Sequence, residues 1–228
     1  MLKPFYKECC TEAGCDEAGR GCLAGSVFAA AVVLPAGWSH PLLNDSKKMT
    51  ARARDVLREV IEREATAWAV ASVSAARIDQ INILGASFEA MTLAVARIIG
   101  PEIGSMRGSE ADSGVSVGAM GGGLHIKPDM LLIDGNRFRT ALDIPYECIV
   151  GGDGKYASIA AASVLAKTHR DEYIERLAEE FPEYGWARNK GYPTRQHREA
   201  IARHGLSPHH RKTFACLPEP ELFERRLP

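Results

Sequence analysis

Apolar runs and amphipathic stretches alternate along the first hundred residues. Thr11 to Cys15 leads to a pair of acids, Asp16 and Glu17, and a glycine-rich turn from Gly19 to Gly25 separates them from Val27 to Leu34, an unbroken apolar run ended by Pro35. Such a run suits a strand covered on both faces, and the two segments are expected to be neighbouring strands. Thr50 is placed to cap a helix from Ala51 to about Glu64, with Val56, Leu57, Val60 and Ile61 on its apolar stripe. Ala67 to Val73 reads as a third strand. Ser74 or Asn82 then opens a helix in which Ile83, Leu84, Met91, Val95, Ile98 and Ile99 recur at helical spacing, the pattern of core packing.

Residues 100 to 123 break this pattern, with eight glycines, several serines and no periodicity. They are expected to form a flexible surface insertion. Beyond them Met130 to Asn136 is a short apolar strand that carries Asp134 near its end. Asp134-Gly135 also suits a hairpin turn, with Tyr146 to Val150 as the partner strand. Gly151 to Lys155 leads into a helix of about 25 residues whose first half, Ser158 to Ala166, is nearly all small. Such a helix can lie close against a sheet and bring Asp153 and Lys155 over the strand ends. From Phe181 onward a polar loop holds Trp186, Lys190 and Tyr192, and a helix from about Thr194 to His204 is stopped by Gly205.

Composition narrows the setting. At 228 residues the chain can bury one substantial core, and its hydrophobic and charged fractions are those of a globular protein. No apolar run approaches the roughly 18 residues of a membrane span, and the first residues lack an apolar signal core, so a cytoplasmic protein is expected. Cys9, Cys10, Cys15, Cys22, Cys148 and Cys216 show no Cys-x-x-Cys spacing, which points to reduced, mostly buried thiols rather than zinc or disulfides. The net charge is -1, but between Arg188 and Lys212 seven Lys/Arg and four His stand against one acid, Glu199. That stretch suits either a polyanion partner or a solvated helix face.

The candidate chemistry lies in the acids. Adjacent residues on a strand point to opposite faces, so Asp16 and Glu17 are expected to serve one ion together only where the strand ends and the backbone turns. Gly19 and Gly21 would supply the turn and allow close approach to a ligand, with the Arg20 fork between them suited to phosphate. Asp134 and Asp153 add two further carboxylates, at a strand end and a helix start. Four acids at one sheet edge would repel one another unless cations bridged them, which suits two magnesium ions. Asn44, Ser46 and Lys47 suit a phosphate contact or an ordinary capping loop, and Tyr192 a stacking platform or a residue packed beneath its loop.

Taken together, Cys-Asp-Glu-Ala-Gly-Arg-Gly (15 to 21), Asn-Asp-Ser-Lys-Lys (44 to 48), Leu-Ile-Asp-Gly (132 to 135), the run from Gly152 to Lys167 followed by Arg170-Asp171, and Asn-Lys-Gly-Tyr-Pro-Thr (189 to 194) resemble type 2 ribonuclease H, the ribonuclease HII family. The resemblance spans nearly the whole chain, in order. It implies an α/β, ribonuclease H-like fold, a mixed central β-sheet flanked by helices, as one catalytic domain over residues 1–228 with 182–228 helping to hold the substrate. It implies cleavage of RNA in RNA:DNA hybrids and nicking 5′ of a single ribonucleotide in duplex DNA, leaving a 3′-hydroxyl and a 5′-phosphate, with two divalent ions, Mg2+ or Mn2+. Carried over, Asp16, Glu17, Asp134 and Asp153 are the catalytic, metal-binding acids. Gly19, Arg20 and Gly21 would recognise the 2′-hydroxyl, and Tyr192 would pack on the neighbouring sugar. Asn44, Ser46, Lys47, Lys155, Lys167 and Arg170 are candidate phosphate contacts.

This chain departs from the family's usual pattern at Cys22, where proline is frequent, at Asn189, where histidine is, and at Pro193, where glycine is. No sliding-clamp motif stands out near the C-terminus, and a monomer with no membrane association and no obligate protein partner is expected. Two other readings keep the fold: a catalytically silent hybrid-binding protein, which the presence of all four acids opposes, and another metal nuclease, which would not need the glycine-arginine-glycine turn together with Tyr192.

Overall fold

The computed structural model describes residues 2–44, 48–100 and 125–216. Ser46, Lys47, the candidate insertion beyond Gly100 and the C-terminal stretch 217–228 lie outside them.

The expected strands form as β1 (Glu12–Ala18), β2 (Val27–Val33), β3 (Ala67–Val73), β4 (Met130–Asp134) and β5 (Tyr146–Ile149). They make one sheet in the order β3-β2-β1-β4-β5. β1 and β3 flank β2 antiparallel, whereas β4 runs parallel to both β1 and β5. The sheet is therefore mixed, as expected, but the hairpin option for Asp134-Gly135 is overturned. Eleven residues separate Asp134 from Tyr146, enough to cross over and start a parallel strand.

β2 and the edge strand β3 are covered on both faces, which explains why they are buried along their whole length. One face packs against α2 (Ala75–Ile99) through residues such as Ala86, Ala90, Met91, Ala94, Val95 and Ile98. The other meets α1 (Ala51–Glu64) and α3 (Ala157–Glu180). α2 is long and apolar enough to cross a membrane, but its apolar stripe lies in this core. Both expected helix starts are used. Ser74 caps α2 by accepting from the Arg77 amide, and the helix is interrupted at Asn82 (φ 60°), whose Oδ1 accepts from the Leu84 and Gly85 amides and caps the segment that follows.

The small residues at the start of α3 allow the contact expected of them. Gly14 faces α3 so closely that a Cβ there would lie 2.2 Å from the Ser158 carbonyl carbon. A third cluster joins the end of α3 to α4 (Trp186–Asn189), α5 (Arg195–His204) and the residues after Gly21 through Leu23, Ile174, Leu177, Tyr184, Trp186 and Ile201.

Two buried histidines tie this last cluster together. The Trp186 indole donates to His197 Nε2 at 2.9 Å, so the His197 proton sits on Nδ1 and is given to the Tyr192 carbonyl, also 2.9 Å away. The Ser207 amide donates to His210 Nδ1, which leaves the His210 proton on Nε2, 3.1 Å from His197 Nε2. A second proton on either ring would put two donors face to face. Burial, with the His197 ring beside it, pushes His210 down to about 4, and burial lowers His197 as well. The unfolded chain takes up these protons near pH 6.5, before the folded one, so stability is full above that pH and falls as pH drops toward 4. From His210 alone, about 2 kcal/mol should be lost by pH 5. Urea unfolding at pH 7.5 and pH 5 should show that loss, and His210→Asn should flatten it.

Candidate metal and nucleic-acid site

The sheet brings two of the acids together by register. Gly14 pairs with Leu132 across the parallel β1–β4 ladder, and Asp16 and Asp134 stand two residues further along their strands. A step of two keeps each side chain on its own face, the one against α3. Asp153 arrives from a single 3-10 turn, Gly152–Gly154, just ahead of α3. Its placement depends on Gly152, whose amide donates to Asp134 Oδ1 at 2.7 Å and where a Cβ would lie 2.6 Å from Ile159. Asp16, Asp134 and Asp153 can thus each offer an oxygen within 4.8 Å of the others.

Glu17 is held differently. β1 does not end at the acid pair, contrary to expectation, but stays paired with β2 as far as Ala18, with Asp16 opposite Ala30 and Glu17 opposite Ala29. Ala30 belongs to the α3 side of the core and Ala29 to the α2 side, so Glu17 projects from the other face. Its carboxylate pairs with Arg20 at 3.0 Å.

Asp16 is 5% exposed and Asp153 4%. Burial, followed by the charges of Glu17 and Asp134, holds the Asp16 carboxyl well above the usual carboxylate range, despite hydrogen bonds from Ser163 and from the Glu17 amide. Ser163, on α3, is a site residue that the sequence reading missed. Buried carboxylates that repel one another, with an all-oxygen donor set, fit a hard divalent cation such as magnesium or manganese.

The turn after β1 is built from inside. Gly19 has φ 93°, and a Cβ there would lie 2.4 Å from Arg170 Nε. Gly21 faces open space and Arg20 is exposed. Arg211, fully buried, donates to the carbonyls of Gly19, Arg20 and Gly25 at 2.8–3.0 Å. Burial lowers its pKa to about 10, so it stays charged at neutral pH.

Tyr192 is 40% exposed, and its ring lies over Arg170, 5.6 Å away, and Lys167, 6.0 Å away. Asn189 shapes the turn before it, donating to the Tyr184 carbonyl and accepting from the Gly191 amide. The reading of Arg170 as a phosphate contact is corrected. It is 1% exposed and donates to the Lys190 carbonyl and to Cys22 Sγ, inside the protein. Lys155 is exposed and donates to the Val150 carbonyl, Lys167 pairs with Asp171 at 2.8 Å, and Asn44 lies exposed before α1. Among the six cysteines Cys15, Cys22 and Cys216 are buried, Cys10 and Cys148 partly so, and Cys9 is exposed; all are free thiols.

A family model described as ribonuclease HII matches residues 13–102 and 118–217. The unmatched residues between fall inside the glycine-rich stretch. Ribonuclease HII of Bacteroides thetaiotaomicron is 53% identical over 222 residues, 97% of this chain and 98% of that protein. Among solved structures, ribonuclease H2 of Pyrococcus horikoshii shares the fold with a TM-score of 0.66 at 23% identity, over 90% of this chain and 94% of that one. Ribonuclease HII of Archaeoglobus fulgidus, solved in complex with PCNA, does so with a TM-score of 0.63 at 24% identity, over 94% of this chain and 99% of that one. The chain belongs to the ribonuclease HII family and is a metal-dependent endoribonuclease.

Proposed function

We propose that this enzyme hydrolyses the RNA strand of RNA:DNA hybrids and nicks duplex DNA on the 5′ side of a single embedded ribonucleotide, leaving a 3′-hydroxyl and a 5′-phosphate. The observation that carries the reading is the convergence of Asp16, Asp134 and Asp153 within 4.8 Å, with a glycine turn opening three residues beyond Asp16. Those three carboxylates would hold divalent ions, with Glu17, which projects from the other face of β1, as a fourth donor only once it leaves Arg20 and turns round the strand end toward them. Two such ions, when bound, supply a water activated at neutral pH and stabilise the departing 3′-oxygen.

The chain's own residues do the rest. Gly19, Arg20 and Gly21 bring main chain close to the 2′-hydroxyl, the group that separates RNA from DNA at one position. The exposed ring of Tyr192 offers a face to the neighbouring sugar, and Asn44, Ser46, Lys47, Lys155 and Lys167 are the phosphate contacts. The enzyme works as a cytoplasmic monomer, one catalytic domain in which residues 182–228 help to hold the substrate.

The test is a DNA duplex with one ribonucleotide, incubated with and without magnesium or manganese. The expected result is metal-dependent cleavage at the 5′ side of the ribonucleotide. Binding without cleavage under either metal would replace this reading with a silent hybrid-binding protein, and cleavage confined to long RNA tracts would remove the 2′-hydroxyl and sugar roles.

A further inference from the structure

The helix that follows Asp153, α3, begins without the usual side-chain cap. Tyr156 stands at its N-cap in an extended conformation (φ -123°, ψ 135°) and gives the helix no side-chain hydrogen bond. The cap comes instead from the N-terminal segment. The Ala157 amide donates to the Lys3 carbonyl at 2.9 Å and the Lys3 amide donates to the Lys155 carbonyl at 2.8 Å, so Lys3 forms a parallel bridge with Tyr156. Side chains reinforce it: the Lys3 amine lies 5.7 Å from the centre of the Tyr156 ring, and the Tyr6 ring meets that ring edge-on, with centres 5.8 Å apart. The segment is itself pinned. Glu12, buried at the start of β1, accepts from the Tyr6 amide on both oxygens, at 2.9 and 3.1 Å, and from the Lys7 amide at 2.6 Å. These charge-assisted bonds close residues 6–12 into a hook.

Asp153 lies between two tethers. Just before it, the Gly152 amide is tied to Asp134; just after it, the Lys155 carbonyl is tied to Lys3. Inside the turn the Lys155 and Tyr156 amides both return to the Gly152 carbonyl, each at 2.9 Å. A single turn fixes many torsions for few hydrogen bonds and has little stability of its own, so the outer tether helps to decide how firmly the carboxylate keeps its place. Ligands already in position when an ion arrives lose less freedom on binding it, and the groups that hold such ligands raise affinity without touching the ion.

We infer that residues 2–12 form a strap that positions Asp153 for the metal, with Lys3 acting through the main chain of the turn and Glu12 holding the strap in place. The inference rests on the reading of Asp153 as a metal ligand proposed above. The experiment measures manganese binding to the metal-free protein by isothermal titration calorimetry, without substrate, together with hydrogen exchange at the Ala157 amide. It compares the intact protein with Lys3→Ala, Lys3→Pro, Glu12→Ala, Glu12→Gln, the Lys3→Pro/Glu12→Ala pair and Asp153→Asn. Lys3→Pro, which deletes the donor to Lys155, should weaken manganese binding by about 3- to 10-fold, the effect of one hydrogen bond, and speed exchange at Ala157. Lys3→Ala keeps both main-chain bonds and should bind as the intact protein does. Glu12→Ala should weaken binding to a similar extent and Glu12→Gln should recover part of the loss through its remaining oxygen. The paired variant should lose less than the product of the two single losses.

Undiminished affinity in Lys3→Pro, or the same loss in Lys3→Ala, would overturn the inference, as would faster exchange at Ala157 with no change in binding. Glu12→Ala supplies the comparison should the proline variant fold poorly, because Tyr6 and Lys7 are exposed and water can meet the amides it releases. If Asp153→Asn leaves manganese binding unchanged, the reading of Asp153 as a ligand fails and this inference with it. If Asp153→Asn weakens binding while Lys3→Pro and Glu12→Ala do not, only the role of the strap fails.

Discussion

Asp16→Asn is expected to abolish cleavage and, in the absence of metal, to raise the melting temperature. Both effects come from the same charge. Asp16 is buried beside Glu17 and Asp134, and its raised pKa records the cost of keeping a carboxylate there. Asparagine has nearly the same shape. Its Oδ1 can still accept from the Glu17 amide, 2.7 Å away, and its amide nitrogen can give a hydrogen to Ser163. The substitution therefore removes repulsion without opening a cavity. A gain of about 1 kcal/mol, or about 2–4 °C for a domain of this size, is the usual scale when a functional charge is neutralised.

The loss of activity is far larger. Lewis-acid stabilisation is worth several kcal/mol, so weakening the ligand set should lower kcat by on the order of 10³-fold. Magnesium should raise the melting temperature of the intact protein and do so less in the variant, because an ion that binds only the folded state stabilises it by mass action. Differential scanning fluorimetry in EDTA and in magnesium, alongside a cleavage assay, checks all three. A variant less stable than the intact protein in EDTA would mean that the acids do not strain the metal-free site.

That site was partly legible in the chain. The three long helices and β2 and β3 appear where apolar runs and periodicity place them, because those patterns are long and both faces of β2 and β3 are covered, whereas β1 runs on to Ala18 and the short edge strand β5 is largely exposed. The convergence of Asp16 and Asp134 follows from a parallel ladder that strand patterns cannot reveal, since parallel and antiparallel partners look alike one strand at a time. The face taken by Glu17 was missed for a related reason: the strand runs on to Ala18 through pairing with β2, and local glycines did not end it. Arg170 was misread because a count of basic residues cannot tell a guanidinium in water from one facing carbonyls and a thiol. For Ser163 the partner, Asp16, lies far away in the chain and nothing local marks it, whereas the partners of His197 and His210 are nearby in sequence but follow neither helical nor strand spacing.

Arg211→Ala should cost about 3–5 kcal/mol of stability. The guanidinium is fully buried, and its donors reach the carbonyls of Gly19, Arg20 and Gly25, with Phe214 packed on the cation at 5.2 Å. Alanine would leave these inward-facing carbonyls without their donor, in a space water would have to enter. Lysine keeps the charge but offers a compact point donor in place of a planar fork, so Arg211→Lys should recover about half of the loss. Arg20→Ala is the contrast. Arg20 has the same charge, but its partner Glu17 is reached from a side chain half in solvent, so that loss should stay within about 1 kcal/mol. Urea unfolding of the three variants at pH 7.5 ranks them, and equal midpoints for Arg211→Ala and Arg20→Ala would refute the clamp. Because Arg211 draws the Gly19 and Arg20 carbonyls inward, cleavage of every substrate should fall in Arg211→Ala even below its unfolding temperature.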